Sequence, residues 1–348
     1  MIFISYISFP NLFGGLKLNI GRTAFTVFGL NIYWYGVVIT AAIILGFGYA
    51  MKRSRQFGMI ADKVFDAAAA GLIGGFIGAR LYYVTFYNLN PDNETKYNFI
   101  TYFTGIRDGG LAIYGGIIGA ALFAFVYMKL KKIKILPVLD LGGLGFLIGI
   151  GIGRWGNFFN QEAYGAVMKN EMPWGMTGSR IASETGGSVL VHPCFLYESL
   201  WCLLGLAVLH FYSKKLRTFD GEIFLLFVTW YGTGRAFNES LRTDSLMLGS
   251  LRISQILAAV TAGAAIGIFI YFKKKVVKSG KTALYSQTEE SELAIIAYEK
   301  KLKLDKEKAD AKKALKKEDE TAPSILADAG DNAPHNDTEG AEENGENY

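Results

Sequence analysis

The sequence predicts an all-α, polytopic membrane protein with seven transmembrane helices, and three observations carry that reading. Apolar runs long enough to cross a bilayer recur through the first 272 of its 348 residues. Hydrophobic residues make up 51% of the chain, charged residues only 19%, and there are 41 glycines, a composition suited to helices packed in lipid. Lysine and arginine also collect after alternate runs, the pattern that orients spans in a membrane.

The runs lie at roughly 28–51, 65–87, 110–128, 136–158, 193–212, 221–238 and 254–272. Lys52, Arg53, Arg55 and Lys63 follow the first, and Lys129, Lys131, Lys132 and Lys134 follow the third. Lys214, Lys215 and Arg217 follow the fifth, and Lys273, Lys274 and Lys275 the seventh. These four groups share one side, which reads as cytoplasmic. The N-terminus is then outside and the C-terminus cytoplasmic, as an odd number of spans requires. Residues 1–27, the loop 88–109, the segment 159–192 and the link 239–253 fall outside. Segment 159–192 is rich in Gly, Met, Ser and Thr and is expected to form a small external head. Asn93-Glu94-Thr95 fits a glycosylation triplet, a pattern common by chance.

The formal net charge of +5 conceals a division. Residues 1–272, the expected seven-helix body, carry a net charge of +8, and residues 273–348 carry −3. The tail has Glu/Lys pairs at helical spacing between Glu289 and Glu320, such as Glu299 with Lys303. It reads as a charged cytoplasmic appendage, a solvated helix followed by disorder. No basic stripe runs along a soluble domain, so nucleic acid is not an expected partner; the lipid bilayer is.

Cys194 and Cys202 stand eight residues apart on one expected helix, about 12 Å of rise, too far for a disulfide. Neither has a flanking cation in sequence, so both read as packing residues. The three histidines are scattered and no metal site is expected. Residues 1–11 lack a basic region and contain Pro10, so they do not read as a cleaved signal peptide. Gly71, Gly74, Gly75 and Gly78, and likewise Gly115, Gly116 and Gly119, recur at three- and four-residue spacing. Such spacing lets helices pack closely in lipid and can also leave room for a lipid.

Ionisable groups inside spans are costly and mark cavities or partners. Along the end of the fourth span, Arg154, Asn157 and Asn160 follow one another at single-turn intervals, and the polar stripe ends at Glu162 and Gly165. Tyr231, Arg235, Glu239 and Arg242 form a continuous face at the end of the sixth. The plain reading of that second stripe is a structural ladder with Arg235 paired to Glu239. Two arginines on separate spans, both near the outer surface, favour a phosphate-bearing ligand of the outer leaflet, because a planar guanidinium grips phosphate oxygens in pairs. An anion vestibule of a transporter or lipid flippase is the competing function, with no evident internal repeat to support it. A metal-dependent phosphatidyl transferase would need clustered Asp in a span, and none is seen.

His192 and Glu198 open the fifth span, as an interfacial residue with a polar partner or as part of a site. Tyr33, Trp34 and Tyr35 suit an aromatic belt. Asp66 and Arg80 share the second span, and Asp140 lies near the start of the fourth, where a helix N-terminus favours an acid.

These residues carry a resemblance. Gly153-Arg154-x-Gly156-Asn157-Phe158-x-Asn160-x-Glu162-x-x-Gly165 resembles the signature of the bacterial prolipoprotein diacylglyceryl transferases. His192-Pro193-x-x-Leu196-Tyr197-Glu198 and Tyr231-Gly232-x-x-Arg235-x-x-x-Glu239-x-x-Arg242 are similar to later blocks of that family. Gly74-Gly75-x-x-Gly78-Ala79-Arg80 and Gly115-Gly116-Ile117-Ile118-Gly119 fit earlier ones. The resemblance covers most of residues 28–272 and stops before the tail.

It implies a bacterial cytoplasmic-membrane enzyme with its active site facing the outer leaflet. The implied substrates are phosphatidylglycerol and the lipobox cysteine of a prolipoprotein signal peptide, with no cofactor. A thiolate would attack the glycerol carbon bearing the phosphate ester, and glycerol phosphate would leave. The family's essential arginines map to Arg154 and Arg235, which would stabilise the charge developing on that phosphate. Glu162 and Glu239 would orient the guanidiniums or relay the thiol proton. Tyr35, Asn157, Asn160, Gly165, His192, Glu198, Tyr231 and Arg242 are the expected substrate-binding residues. Tyr114 stands where many members have a histidine. A phenol is a poor base at neutral pH, so Tyr114 is expected to position or hydrogen-bond and not to deprotonate.

Overall fold

The computed structural model describes residues 5–90, 96–97, 110–170, 172–243, 247–249 and 251–321. Asn93-Glu94-Thr95 and the tail beyond Thr321 lie outside the described residues. Residues 1–296 form one compact unit.

Among the described residues, that unit holds seven helices of spanning length: α1 (Trp34–Arg53), α2 (Ala61–Leu89), α3 (Ile113–Leu130), α4 (Ile135–Asn160), α6 (Cys194–Lys215), α7 (Glu222–Leu241) and α8 (Ile253–Ser279). A short α5 (Ser179–Thr185) lies between α4 and α6. Six of them are long and apolar enough to cross a membrane. The helix for the expected sixth span, α7, is not among those six; its 20 residues include Glu222, Arg235, Asn238 and Glu239. Large apolar side chains such as Ile44, Ile73, Ile117, Phe146 and Val260 stand exposed on the outer faces, as lipid-facing positions do.

The first span begins later than expected. Residues 23–33 form a hairpin, β3 (Thr23–Val27) with β4 (Leu30–Tyr33). Phe28 and Gly29, at φ 48° and 78°, make the two-residue connection whose twist suits paired strands. The expected external head, 159–192, is joined by the N-terminal segment: β1 (Ile7–Phe9) pairs antiparallel with β2 (Leu16–Leu18) and with β5 (Thr177–Gly178) of the head. A small apolar core of Ile7, Phe9, Phe158, Met176, Ile181, Val191 and Phe195 ties this sheet to the ends of α4 and α6. A two-residue pair, β6 (Met247–Leu248) with β7 (Leu251–Arg252), precedes α8.

Helix α4 is central, packed against α1, α6 and α7. Its Leu141, Leu144 and Leu147 are fully buried. Helices α2 and α3 form a close pair, and the glycine spacing explains it. A Cβ on Gly78 would overlap the Gly115 carbonyl, and one on Gly119 would overlap that of Gly74. In lipid such backbone approach supplies the van der Waals contact that holds helices together. Between α6 and α7, Trp201 and Trp230 stack with centroids 4.7 Å apart, and each indole N–H donates 2.9 Å to the other's carbonyl.

Beyond Ile296 lies the second unit. Its described part belongs to α9 (Glu289–Thr321), and residues 300–317 are exposed throughout. The i, i+4 pairs of opposite charge keep such a helix stable in solvent.

Candidate functional site

The site is built at one end of α4, α6 and α7. Arg154 sits a turn and a half before the end of α4. Glu198 lies in the second turn of α6, and Arg235 and Glu239 face inward from the last two turns of α7. Glu198 joins them. Its Oε1 receives Arg154 Nη2 at 2.7 Å, and its Oε2 lies 3.5 Å from Arg235 Nη1. Tyr231 donates its hydroxyl to Glu198 Oε1 at 3.4 Å, and Asn238 Nδ2 donates to Oε2 at 2.9 Å. Arg235 Nη2 also meets Glu239 Oε2 at 2.7 Å.

Burial is uneven across this cluster. Glu198 and Glu239 are 3% and 2% exposed, whereas the Arg154 and Arg235 side chains retain 21% and 19%. The carboxylates form the floor and the guanidiniums the open face. A buried carboxylate needs such cations, since an unpaired charge there is strongly destabilising. Not all donors are used. Arg154 Nε and Arg235 Nη1 are buried N–H groups without a hydrogen-bond acceptor among the described residues.

A second layer closes the rim. The Arg154 Nη1 donor reaches Asn157 Oδ1 at 3.3 Å. Asn157 Nδ2 and Asn160 Nδ2 both donate to Glu162 Oε1, at 3.0 and 3.3 Å. Helix α4 stops at Asn160 because Gln161 turns left-handed at φ 51°. That turn sends Glu162 back over the helix end, where Arg180 of α5 pairs with it at 3.7 Å. Arg180 also holds Glu184 at 2.6 Å, and Tyr164 donates to the same carboxylate at 2.7 Å. Those two partners hold the Glu184 carboxyl below its ordinary range. Buried Gln161 anchors the turn: its side chain donates to Tyr6 O at 3.1 Å and accepts from Arg180 N at 2.9 Å.

Gly165 lies where three segments converge. Its N–H donates to His192 O at 2.8 Å, Ala166 N donates to Leu241 O at 2.7 Å, and Gly165 bridges to Arg242. A Cβ there would sit 2.8 Å from that of His192 and 2.9 Å from Cys194 Sγ, so only glycine allows the approach. Cys194 and Cys202 are both free and buried. His192 Nδ1 hydrogen-bonds the Tyr197 hydroxyl at 3.1 Å, and burial lowers the His192 pKa. His192 is therefore not the partner of Glu198. The Tyr35 ring closes on Gly156, 2.6 Å from where a Cβ would stand.

Of the expected residues, Arg154, Arg235, Glu239, Glu198, Tyr231, Asn157, Asn160 and Glu162 share one bonded network. Tyr35, Gly165, His192 and Arg242 frame it. Tyr114 has no bond to that network: it opens α3, which packs on α2, is 52% exposed, and makes no hydrogen bond among the described residues. Asp66 accepts from the Tyr127 hydroxyl at 3.1 Å, and Arg80 donates to Gly110 O at 3.2 Å.

Three contributors escaped the sequence reading. Asn238 had a usable signal, since it lies three residues after Arg235 on the same helical face. Arg180 and Gln161 had none, because their contacts depend on the fold of the head.

The chain matches the family described as "Prolipoprotein diacylglyceryl transferase" over residues 22–271. A protein of Clostridioides difficile (strain 630) named "Phosphatidylglycerol--prolipoprotein diacylglyceryl transferase" is 38% identical over 256 residues, which cover 73% of this chain and 96% of that protein. A protein of the same name from Finegoldia magna is 39% identical over 258 residues, 74% of this chain and 98% of the relative. One from Clostridium novyi (strain NT) is 39% identical over 257 residues, 73% and 95%. This chain belongs to the prolipoprotein diacylglyceryl transferase family.

Proposed function

We propose that this family member transfers the diacylglyceryl group of phosphatidylglycerol to the lipobox cysteine of a prolipoprotein, releasing glycerol phosphate. It works in the cytoplasmic membrane of a bacterium, with seven spans, an external N-terminus and a site open to the outer leaflet. The lysine-rich link 129–134 precedes α4 and the arginine cluster ends it. The two therefore lie at opposite ends of one helix about 39 Å long, and if the lysines face the cytoplasm the arginines face out.

The observation that carries the reading is Glu198 holding guanidiniums from two separate helices side by side, each about a fifth exposed. A phosphate ester of the incoming lipid would meet their exposed edges. The substrate thiolate attacks the glycerol carbon, an S–C bond forms, and the C–O bond to phosphate breaks. Negative charge grows on the departing phosphate, where Arg154 and Arg235 stabilise it without reorganising. Glu239 is buried against Arg235 and orients it. Glu162 keeps about a third of its surface exposed at the rim, so it is the carboxylate a peptide thiol can reach, and it relays the proton.

The test is purified protein in phosphatidylglycerol vesicles with a lipobox peptide. Mass spectrometry should show the peptide gaining one diacylglyceryl group, with glycerol phosphate released in equal amount. A peptide that stays unmodified while the protein moves lipid across the bilayer would support a flippase instead.

A further inference from the structure

The other end of α4 holds a second feature, built partly from residues beyond the family match, which ends at 271. Helix α8 ends at Gly280 in a left-handed turn, φ 64°, and the chain folds back. Ala283 N donates to Thr218 O at 2.8 Å, and Asp220 N to Ala283 O at 3.1 Å. Tyr285 N donates to Asp220 Oδ2 at 2.7 Å, and Ser291 Oγ donates to Gly58 O at 2.8 Å. Gly58 permits this seat, because a Cβ on it would stand 2.6 Å from Ser286 Cα. Residues 281–291 thus form a strap across the α1–α2 and α6–α7 links. Lys134, at the start of α4, joins it through Glu290 at 3.1 Å.

Between this strap and the α3–α4 link is a cavity of about 830 Å³. Its walls include Lys129, Lys132 and Lys134, an apolar side with Ile133 and Pro137, and the hydroxyl of Thr288. Asp220 also lines it but is occupied by Arg217 and Tyr285 N. The three lysines are not equivalent. Lys134 is held by Glu290, and Lys129 lies 5.6 Å from the Phe125 ring centroid. Lys132, at φ 53° in the tight link, makes no side-chain bond among the described residues. The cavity lies between the end of α3 and the start of α4, where their apolar runs meet the lysines. Orientation by charge requires lysines on this side, but it does not require an open cavity with one apolar wall.

We propose that this cavity binds the phosphate headgroup of an anionic lipid of the inner leaflet, separate from the lipid that reacts. Basic pockets between spans on the cytoplasmic side suit such headgroups, each lysine adding attraction to the phosphate. Lys132 and Lys129 meet the phosphate, and the acyl chains run out along Leu136, which lines the cavity and is exposed. The proposal rests on the topology given above but not on the transfer chemistry.

The test is native mass spectrometry of the full chain released from nanodiscs of phosphatidylglycerol or of phosphatidylcholine, and again after incubation with inorganic phosphate. The wild type should keep one more phosphatidylglycerol than the Lys129→Glu/Lys132→Glu variant, whose affinity falls about tenfold. Phosphatidylcholine retention should be the same in both. Lys132→Gln, a gentler change, should give an intermediate loss with an unaltered melting temperature. Equal retention of phosphatidylglycerol in all three proteins would overturn the proposal. Displacement of the extra lipid by millimolar phosphate would make this a free-anion site and overturn the lipid assignment. Peptide modification assayed on the same samples separates the two readings: both variants should modify peptide at the wild-type rate in excess phosphatidylglycerol, and a protein that modifies no peptide while keeping the extra lipid would sink the transferase reading alone.

Discussion

Two arginine–carboxylate clusters flank α4, one at each end, and the contrast between them separates a site from a staple. At the strap end, Asp140 is fully buried and accepts Gly221 N and Phe224 N, each at 2.9 Å. Arg217, with its side chain 4% exposed, lies 3.5 Å from Asp140 and 3.6 Å from Asp220, its guanidinium 4.0 Å from the Phe57 ring centroid. Both oxygens of that acid are tied to backbone and the cation is covered by a ring. At the other end, Glu198 takes its bonds from side chains, and the two arginines stay about a fifth exposed. The chemistry of the groups is the same. Access, and who satisfies the carboxylate, differ.

The largest expected effect tests that contrast directly. Arg154→Ala or Arg235→Ala should lower transfer to a lipobox peptide by about 10²–10³-fold, the cost of removing one preorganised donor to developing charge. Lysine at either position should recover little, because it lacks the planar fork. Arg217→Ala should do the reverse. Leaving Asp140 buried without its cation should cost about 3–5 kcal/mol of stability, read as a lower melting temperature, while surviving protein turns over near the wild-type rate. If Arg217→Ala abolished turnover in folded protein, the two clusters would not be functionally distinct.

Glu198→Gln should follow in size. The amide keeps the shape but frees two guanidiniums from their shared anion, and kcat should drop more than KM rises. A variant with unchanged kcat would remove Glu198 from positioning. Asn238→Ala comes next: losing a hydrogen bond to a charged group is worth about 1.5–3 kcal/mol, so a loss of roughly 10- to 150-fold in kcat/KM is expected. Tyr114→Phe should be the smallest, within about twofold of wild type, since the residue stands on the α2–α3 pair. A larger drop would place a catalytic or substrate contact on that pair.

Much of this was legible in the chain. Six of the seven expected spans coincide with helices that are long and apolar enough to cross a membrane, and the stripes that carry Arg154 and Arg235 lie on two of the helices that meet at Glu198. Those signals are local, set by the helical repeat and by the cost of charge in lipid. Helix α7 was harder, because the residues that build the site are the same ones that dilute its apolar character. The start of α1 was misplaced because the hairpin at 23–33 is as apolar as a span and differs only in its strand pairing. His192 and Glu198 looked like partners from their nearness in sequence, yet His192 turned to Tyr197.

By itself, then, the sequence determined the membrane class, the family and the two arginines, because each is written in the order and spacing of residues along one helix. The tertiary structure decided that Glu198 joins those arginines, that Asn238 steadies it, that Arg180 and Gln161 close the rim, and that Tyr114 makes no hydrogen bond among the described residues. It also decided which arginine cluster is open and which is sealed. Those outcomes depend on which helices meet and at what height, and packing alone sets that, through glycine contacts and stacked rings between segments far apart in the chain.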